Sequence, residues 1–307
     1  MNLKFSSKKN HLEYDILGDF FMKLGLCLAG GGIKGAAHIG AIKALREAGV
    51  HFEYISGTSS GSIVATLYAC GYSTDEIYVA FKKYAKKIGY WDWNNVWNVS
   101  KHFLETGKVK LTGLNSGKSI YDFAHRLCRA KGIQNINQVP RKLIIPTVNI
   151  YTEELYVFHS GPLIRNEKNI KYINNVDIGT AVQASCSYPG VFCPCEYRDT
   201  LLVDGGLAEN LPWRETKRIG ADKVVSIVFV EKTPKKCCDN VVQILDKSFG
   251  ILCHELARYE WDGTDYLLEI ETNNVGLLDW KKVDELYEQG YEQTKQKIKN
   301  WLPEITC

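Results

Sequence analysis

Three short stretches carry residues that could do nucleophilic acyl chemistry together. The first is Gly57-Thr58-Ser59-Ser60-Gly61, a serine with glycines two positions away on each side. A chain that reverses sharply between a strand and a helix needs tiny flanking residues, and it leaves the central serine strained and projecting. Only Ser59 fits that register: Ser60 would need a glycine where Thr58 stands, and Ser62 has Ser60 in that place. The second stretch is Gly30-Gly31-Gly32-Ile33-Lys34-Gly35, where bare backbone N–H groups could face an anion. The third is Asp204-Gly205-Gly206, a carboxylate at the end of an apolar run, placed to accept a serine proton.

Each stretch has a plainer reading. Short Gly/Ser loops and Asp-Gly turns are common. The glycine loop also fits the dinucleotide fingerprint, Gly30-x-Gly32-x-x-Gly35. That reading wants an acidic residue at the end of the next strand. Glu53 is near the required distance but lies early in its strand, which ends instead at Ser56-Gly57. An oxyanion loop facing Ser59 is the better account.

The surrounding elements decide whether these stretches can meet. Residues 24–29 form an apolar run of strand length, followed by the glycine loop and a helix over 36–48 with Ile39, Ile42 and Leu45 on one face. Residues 51–56 read as a second strand and 63–70 as a second helix. Two successive strand–loop–helix units predict a parallel sheet with right-handed crossovers, which puts both loops on one edge. Further on, Ser73-Thr74-Asp75-Glu76 predicts a capping box opening a helix to residue 88. Helices are expected over 119–131, 177–185, 240–260 and 280–299. Strands are expected over 143–150 paired with 154–159, and over 191–192, 201–203, 223–230 and 266–270. The tryptophan-rich segment 91–97 reads as an irregular stretch packed by its aromatics, or as an amphipathic flap at a lipid interface. No repeat or linker is visible, so residues 1–22 read as an extension and 23–307 as one domain.

Composition sets outer limits. Hydrophobic residues at 45% and charged residues at 24% are ordinary for a soluble globular chain. A net charge of +3 is too small to argue for nucleic acid. No apolar run approaches the roughly 20 residues of a membrane span, and the N-terminus lacks a signal-peptide core. Ten cysteines without a Cys-x-x-Cys pair suggest buried thiols in a reducing compartment, so a cytoplasmic location is expected, with peripheral membrane contact allowed. No metal cluster is visible, and calcium-independent chemistry without a cofactor is expected.

The three stretches, in this order, resemble the signature of the patatin-like phospholipase family. The segment Ala184-Ser185-Cys186-Ser187-Tyr188-Pro189-Gly190-Val191-Phe192 and the triplet Asn210-Leu211-Pro212 are similar to the family's flanking segments. The resemblance covers residues 23–230. Ser60 and Ser62 depart from it, standing where alanines are frequent. It implies a three-layer α/β/α fold with a mainly parallel central sheet, distantly like the α/β-hydrolases. It also implies a Ser59–Asp204 dyad, with an oxyanion hole from Gly30, Gly31, Gly32 and Ser60, and Lys34, Gly35, Gly57, Gly61, Gly205 and Gly206 as supports. The implied substrate is a phospholipid or lysophospholipid at a membrane surface. A homodimer and an activating ligand or partner are compatible with this; the residues identify neither. Two alternatives stay open. Ser59, Asp204 and His254 follow the chain order of a Ser-Asp-His triad, as in a carboxylesterase. A non-catalytic lipid-binding or storage protein could keep the fold, although an intact serine, aspartate and glycine loop argue against it. His38 reads as structural.

Overall fold

The computed structural model describes residues 22–88, 113–162, 164–231, 241–272, 275–300 and 302–305. The chain runs β1 (Leu24–Leu28), α1 (Gly35–Glu47), β2 (Tyr54–Gly57), α2 (Ser60–Ala69) and α3 (Thr74–Ile88). It continues with β3 (Gly113–Asn115), α4 (Lys118–Ala130), β4 (Lys142–Asn149), β5 (Leu155–His159), β6 (Ile170–Ile173) and α5 (Ile178–Ser185). Then come β7 (Gly190–Phe192), β8 (Cys195–Tyr197), β9 (Thr200–Asp204), α6 (Trp213–Arg218) and β10 (Lys223–Val230). The last elements are α7 (Val241–Trp261), β11 (Tyr266–Glu271), α8 (Val283–Lys297) and α9 (Leu302–Ile305). The tryptophan-rich segment 91–97 lies outside the described residues.

Nine strands form one sheet in the order β11-β10-β1-β2-β4-β5-β6, with β9 and β8 continuing from β4. The pairs from β11 through β4 are parallel, and β4 pairs antiparallel with β5 and β9. Strand residues alternate between two cores, as a period of two requires. Leu24, Leu26 and Leu28 pack with Ile39, Ile42 and Leu45 of α1 on one face. Cys27, Tyr54, Val224 and Val228 pack with Leu211, Trp213 and Trp261 on the other. Helices thus cover both faces, the three-layer arrangement expected.

Most expected elements are present, with shifted ends. Ser73 and Glu76 close the capping box before α3: Glu76 Oε2 accepts the Ser73 N–H at 2.8 Å and Ser73 Oγ accepts the Glu76 N–H at 3.2 Å. The helix after the elbow starts at Ser60 rather than residue 63, because Ser59 alone makes the turn. β6, β8 and α6 have no strong pattern of their own. β6 (IKYI) and β8 (CEY) are held by pairing along β5 and β9, a non-local cause invisible in six-residue windows.

Two strand registers bring the three stretches together. Leu28 at the end of β1 stands opposite Gly57 at the end of β2, so the glycine loop and the elbow leave the sheet side by side. β4 is longer than β2 needs. Ser56 of β2 pairs with Ile144, whereas Asp204 of β9 pairs with Thr147. Three residues along a strand is about 10 Å, so β9 occupies the lane beside β4 that β2 vacates when it turns into the elbow.

Candidate active site

Ser59 sits between β2 and α2 with φ 52° and ψ −125°, outside the regions a side chain prefers. Such backbone costs on the order of 1–3 kcal/mol and persists only when its surroundings hold it. Here they do. The Ser59 N–H donates to Ser185 Oγ at 3.0 Å. Its carbonyl accepts from the Ser62 N–H at 2.8 Å and from Ser62 Oγ at 2.6 Å. Ser62, a departure from the family pattern, therefore braces the turn. The flanking glycines are required by close approach. A Cβ on Gly57 would stand 2.4 Å from the Gly61 carbonyl oxygen, and one on Gly61 would stand 2.3 Å from that of Leu28.

Asp204 reaches the elbow through the β4 register and is 2% exposed. Its Oδ1 accepts the Gly206 N–H at 2.8 Å. Its Oδ2 is buried without a full hydrogen-bond partner. The Ser59 hydroxyl stands near enough to stabilise the carboxylate, though not in a geometry that satisfies Oδ2. Burial raises the Asp204 carboxyl to about 6, partly offset by Ser59 and by the Gly206 N–H. The group is therefore ionised at neutral pH yet basic for an aspartate, which suits a general base.

The glycine loop passes the same place. Gly30 differs from the sequence expectation as a donor, because its N–H is taken by Asn210 Oδ1 at 2.9 Å. The Gly31 and Gly32 N–H groups, with the Ser60 N–H in the first turn of α2, have no such acceptor among the described residues. The first N–H groups of a helix lack intrahelical partners, and the helix dipole there favours negative charge. Lys34 forms an ion pair with Glu231, so its charge is already matched. His38 lies fully buried under the loop, its Nε2–H donating to the Ala29 carbonyl at 2.8 Å, and burial lowers it to about 4. Glu53 precedes β2, at the sheet end opposite the glycine loop, which removes the acidic partner a dinucleotide would need. His254 falls within α7; its side chain lies outside the described residues.

Ser59, Ser60, Asp204, Asn210 and the glycine loop line a cavity of about 670 Å³, within the usual range for small-molecule sites. Its apolar walls come from Ile63, Phe81, Tyr84, Ile120 and Phe192 and from Phe229, Ala257, Trp261, Leu277 and Leu278. Sequence reasoning named Ser185 and Asn210 only within flanking segments and missed the wall from α7 and residues 275–278. Polar residues with backbone partners far along the chain leave no local pattern. Among the described residues, no cluster of ligating side chains could hold a metal, and no helix is long and apolar enough to cross a membrane.

A family model described as patatin-like phospholipase matches residues 26–217. The chain belongs to the patatin-like phospholipase family. The match contains the glycine loop, the elbow and Asp204; α7 and residues 275–278 of this patatin-like chain lie beyond it. Curated relatives include the lysophospholipase NTE1 of Lodderomyces elongisporus, 26% identical over 92% of this chain, and that of Meyerozyma guilliermondii, 25% identical over 92%. The chain spans 20% of the length of each. Among solved structures, VipD from Legionella pneumophila is similar over 90% of this chain and 66% of its own, with a TM-score of 0.48 and 17% identity. Human GIVD cytosolic phospholipase A2 is similar over 93% and 59%, with a TM-score of 0.45 and 11% identity.

Proposed function

We propose that this chain is a serine acyl hydrolase that cleaves fatty acyl esters of phospholipids or lysophospholipids through Ser59 and Asp204. The observation that carries this reading is the lone buried Oδ2 of Asp204, brought by the β4 register to the elbow serine inside an apolar cavity. Ser59 Oγ attacks the ester carbonyl as Asp204 Oδ2 takes its proton. The tetrahedral oxyanion is held by the Gly31, Gly32 and Ser60 N–H groups. Losing one donor of this kind typically costs about 2.7–4 kcal/mol of transition-state stabilisation. Collapse expels the alcohol, which receives the proton back from Asp204, and leaves an acyl-Ser59 ester. Water, deprotonated by the same carboxylate, then releases the fatty acid and restores the serine. The names of the curated relatives favour a lysophospholipid as substrate.

The test is fatty acid release from lysophospholipid micelles, phospholipid vesicles and a soluble short-chain ester, with wild type and His254→Ala compared. The dyad reading expects hydrolysis by both, within about threefold of each other. Loss confined to the folded His254 variant would point to a triad instead.

α7 supports work at a lipid surface. Ile244, Ile251, Leu252, Leu256 and Tyr259 are all exposed, at 43–79%, and at 100° per residue they share an arc of about 140°. The opposite face of the same helix, with Cys253, Ala257 and Trp261, lines the cavity. The arc also carries Ser248 and Glu255, the latter paired with Arg258, so it is a mainly apolar outward face with polar points. On the helix that walls an apolar cavity, such a face suits a bilayer surface, the phase in which such a substrate resides. Paired Ile251→Glu and Leu252→Glu substitutions are expected to weaken vesicle binding at least about tenfold, from some 1.5–3 kcal/mol per lost apolar side chain. Turnover of the soluble ester should stay within about twofold. Equal binding by the variant in vesicle sedimentation would remove α7 from the lipid contact.

A further inference from the structure

Four hydrogen bonds converge on the turn formed by residues 209–213, which lies between the elbow and the glycine loop. Thr58 Oγ1, next to the nucleophile, donates to the Glu209 carbonyl at 3.0 Å. Asn210 Oδ1 accepts the Gly30 N–H at 2.9 Å. The Leu211 N–H donates to Glu260 Oε2 at 2.8 Å, and the Asn210 N–H stands close to the same carboxylate. Trp213 Nε1 donates to the Glu260 carbonyl oxygen at 2.6 Å. Glu260, near the end of α7, is thus bonded to the turn through both its side chain and its backbone, and it is 8% exposed. Burying a carboxylate is costly unless it is bonded, and here the Leu211 main-chain N–H is its partner, with the Asn210 N–H and the charge of Arg214 also favouring the ionised form.

We propose that Glu260 is a positioning residue for the oxyanion loop: its carboxylate fixes the turn at Asn210 and Leu211, and Asn210 in turn fixes Gly30 and the N–H groups that follow it. This role rests on the Ser59–Asp204 hydrolase reading. The room for movement is small. A Cβ on Gly30 would stand 2.7 Å from Asn210 Oδ1 and 3.0 Å from the Ser59 Cβ, so the loop, the turn and the nucleophile are in mutual contact. On its other side the loop is held by the Ile33 N–H donating to the Leu277 carbonyl at 2.9 Å. Without the Glu260 carboxylate, the turn keeps its bonds to Gly30, to Thr58 and, through Trp213, to the carbonyl of residue 260, but the Leu211 N–H loses its acceptor, so Asn210 and with it Gly30 can shift relative to Ser59. The Gly31 and Gly32 donors then miss the oxyanion while the acyl-binding walls stay in place. An error of about 1 Å in such positioning can cost on the order of a hundredfold in rate.

The experiment compares wild type, Ser59→Ala, Glu260→Ala, Glu260→Gln, Asn210→Ala and the Glu260→Ala/Asn210→Ala pair on the soluble ester. It also follows the rate at which a fluorophosphonate, whose adduct mimics the tetrahedral oxyanion, labels Ser59. Glu260→Ala is expected to lower kcat by about ten- to a hundredfold and to slow labelling in parallel, with KM within about threefold. Glu260→Gln, which still accepts the Leu211 N–H, should keep kcat within about threefold. Asn210→Ala should match Glu260→Ala, and the pair should be little worse than either, as residues in one relay are not additive. If Glu260→Ala does not fold, Asn210→Ala alone carries the kcat and labelling test. A folded Glu260→Ala or Asn210→Ala enzyme with wild-type kcat, or fully additive losses, would overturn the relay. A wild-type protein without Ser59-dependent hydrolysis would overturn the functional reading itself, and this role with it.

Discussion

Alanine in place of Ser59 is expected to reduce kcat for ester hydrolysis about ten-thousandfold or more, with little change in thermal stability. The size of the loss reflects the lack of a substitute nucleophile. Removing a serine nucleophile elsewhere costs up to about a millionfold, because the assisting groups act only through it. The nearby hydroxyls cannot take over: Ser62 Oγ is committed to the Ser59 carbonyl, and Ser60 Oγ is buried in the first turn of α2. Stability should hold because the strain is in the backbone. Alanine at φ 52° is no more comfortable than serine, and the bonds to Ser185 and Ser62 use the main chain. Initial rates on the soluble ester and fluorophosphonate labelling check this together. Activity within tenfold of wild type, or labelling that persists, would move the nucleophile elsewhere.

Asp204→Asn is expected to lower kcat by about 10²–10⁴-fold, the usual weight of a general base, and at the same time to make the protein more stable above pH 6. The sign is set by burial. The Asp204 carboxyl is raised from 3.8 to about 6 in the folded protein. An acid with a raised pKa binds its proton more tightly when folded, so folding is progressively disfavoured as pH rises from about 4 to 6, and the full cost is present above that. At 1.36 kcal/mol per pH unit this is on the order of 3 kcal/mol, which asparagine avoids while its Oδ1 can still accept the Gly206 N–H. Denaturant titration should therefore show the variant ahead at pH 8, with the gap closing towards pH 4. The wild-type kcat/KM should rise with pH through about 6, because the base must be ionised, and the variant should lack that limb. A wild-type profile flat from pH 5 to 8, or a variant less stable at pH 8, would contradict the assignment.

This combination, a gain in stability with a loss of activity, is what a strained and desolvated site predicts. The site holds a charge in the core where a neutral amide would be more comfortable. The same logic extends to Glu260, which burial raises to about 7 and which its main-chain partners hold in place.

Much of the site is readable in the chain because it is local. The glycine loop, the elbow and Asp204 each lie within a few residues of an apolar strand, and a turn that demands glycine announces itself in sequence. The first two strand–loop–helix units likewise emerge from periodicity, since a parallel strand buried on both faces is a run of apolar residues. What lies between distant segments is not readable. Asp204 could have been an ordinary turn residue; its place beside Ser59 depends on β4 outrunning β2 by the length that β9 then fills, and a one-residue slip would turn it to the other face. The occupation of the Gly30 N–H by Asn210 depends on two side-by-side loops 180 residues apart. Glu260 looks in sequence like any carboxylate on a helix, and α7 like a helix with one apolar face. Only packing shows that one arc of α7 walls the cavity, the other stays exposed, and its last carboxylate accepts the Leu211 backbone N–H. Local sterics write turns and strands into the sequence, whereas a hydrogen bond across 49 or 180 residues exists only once the sheet has set which lanes are neighbours.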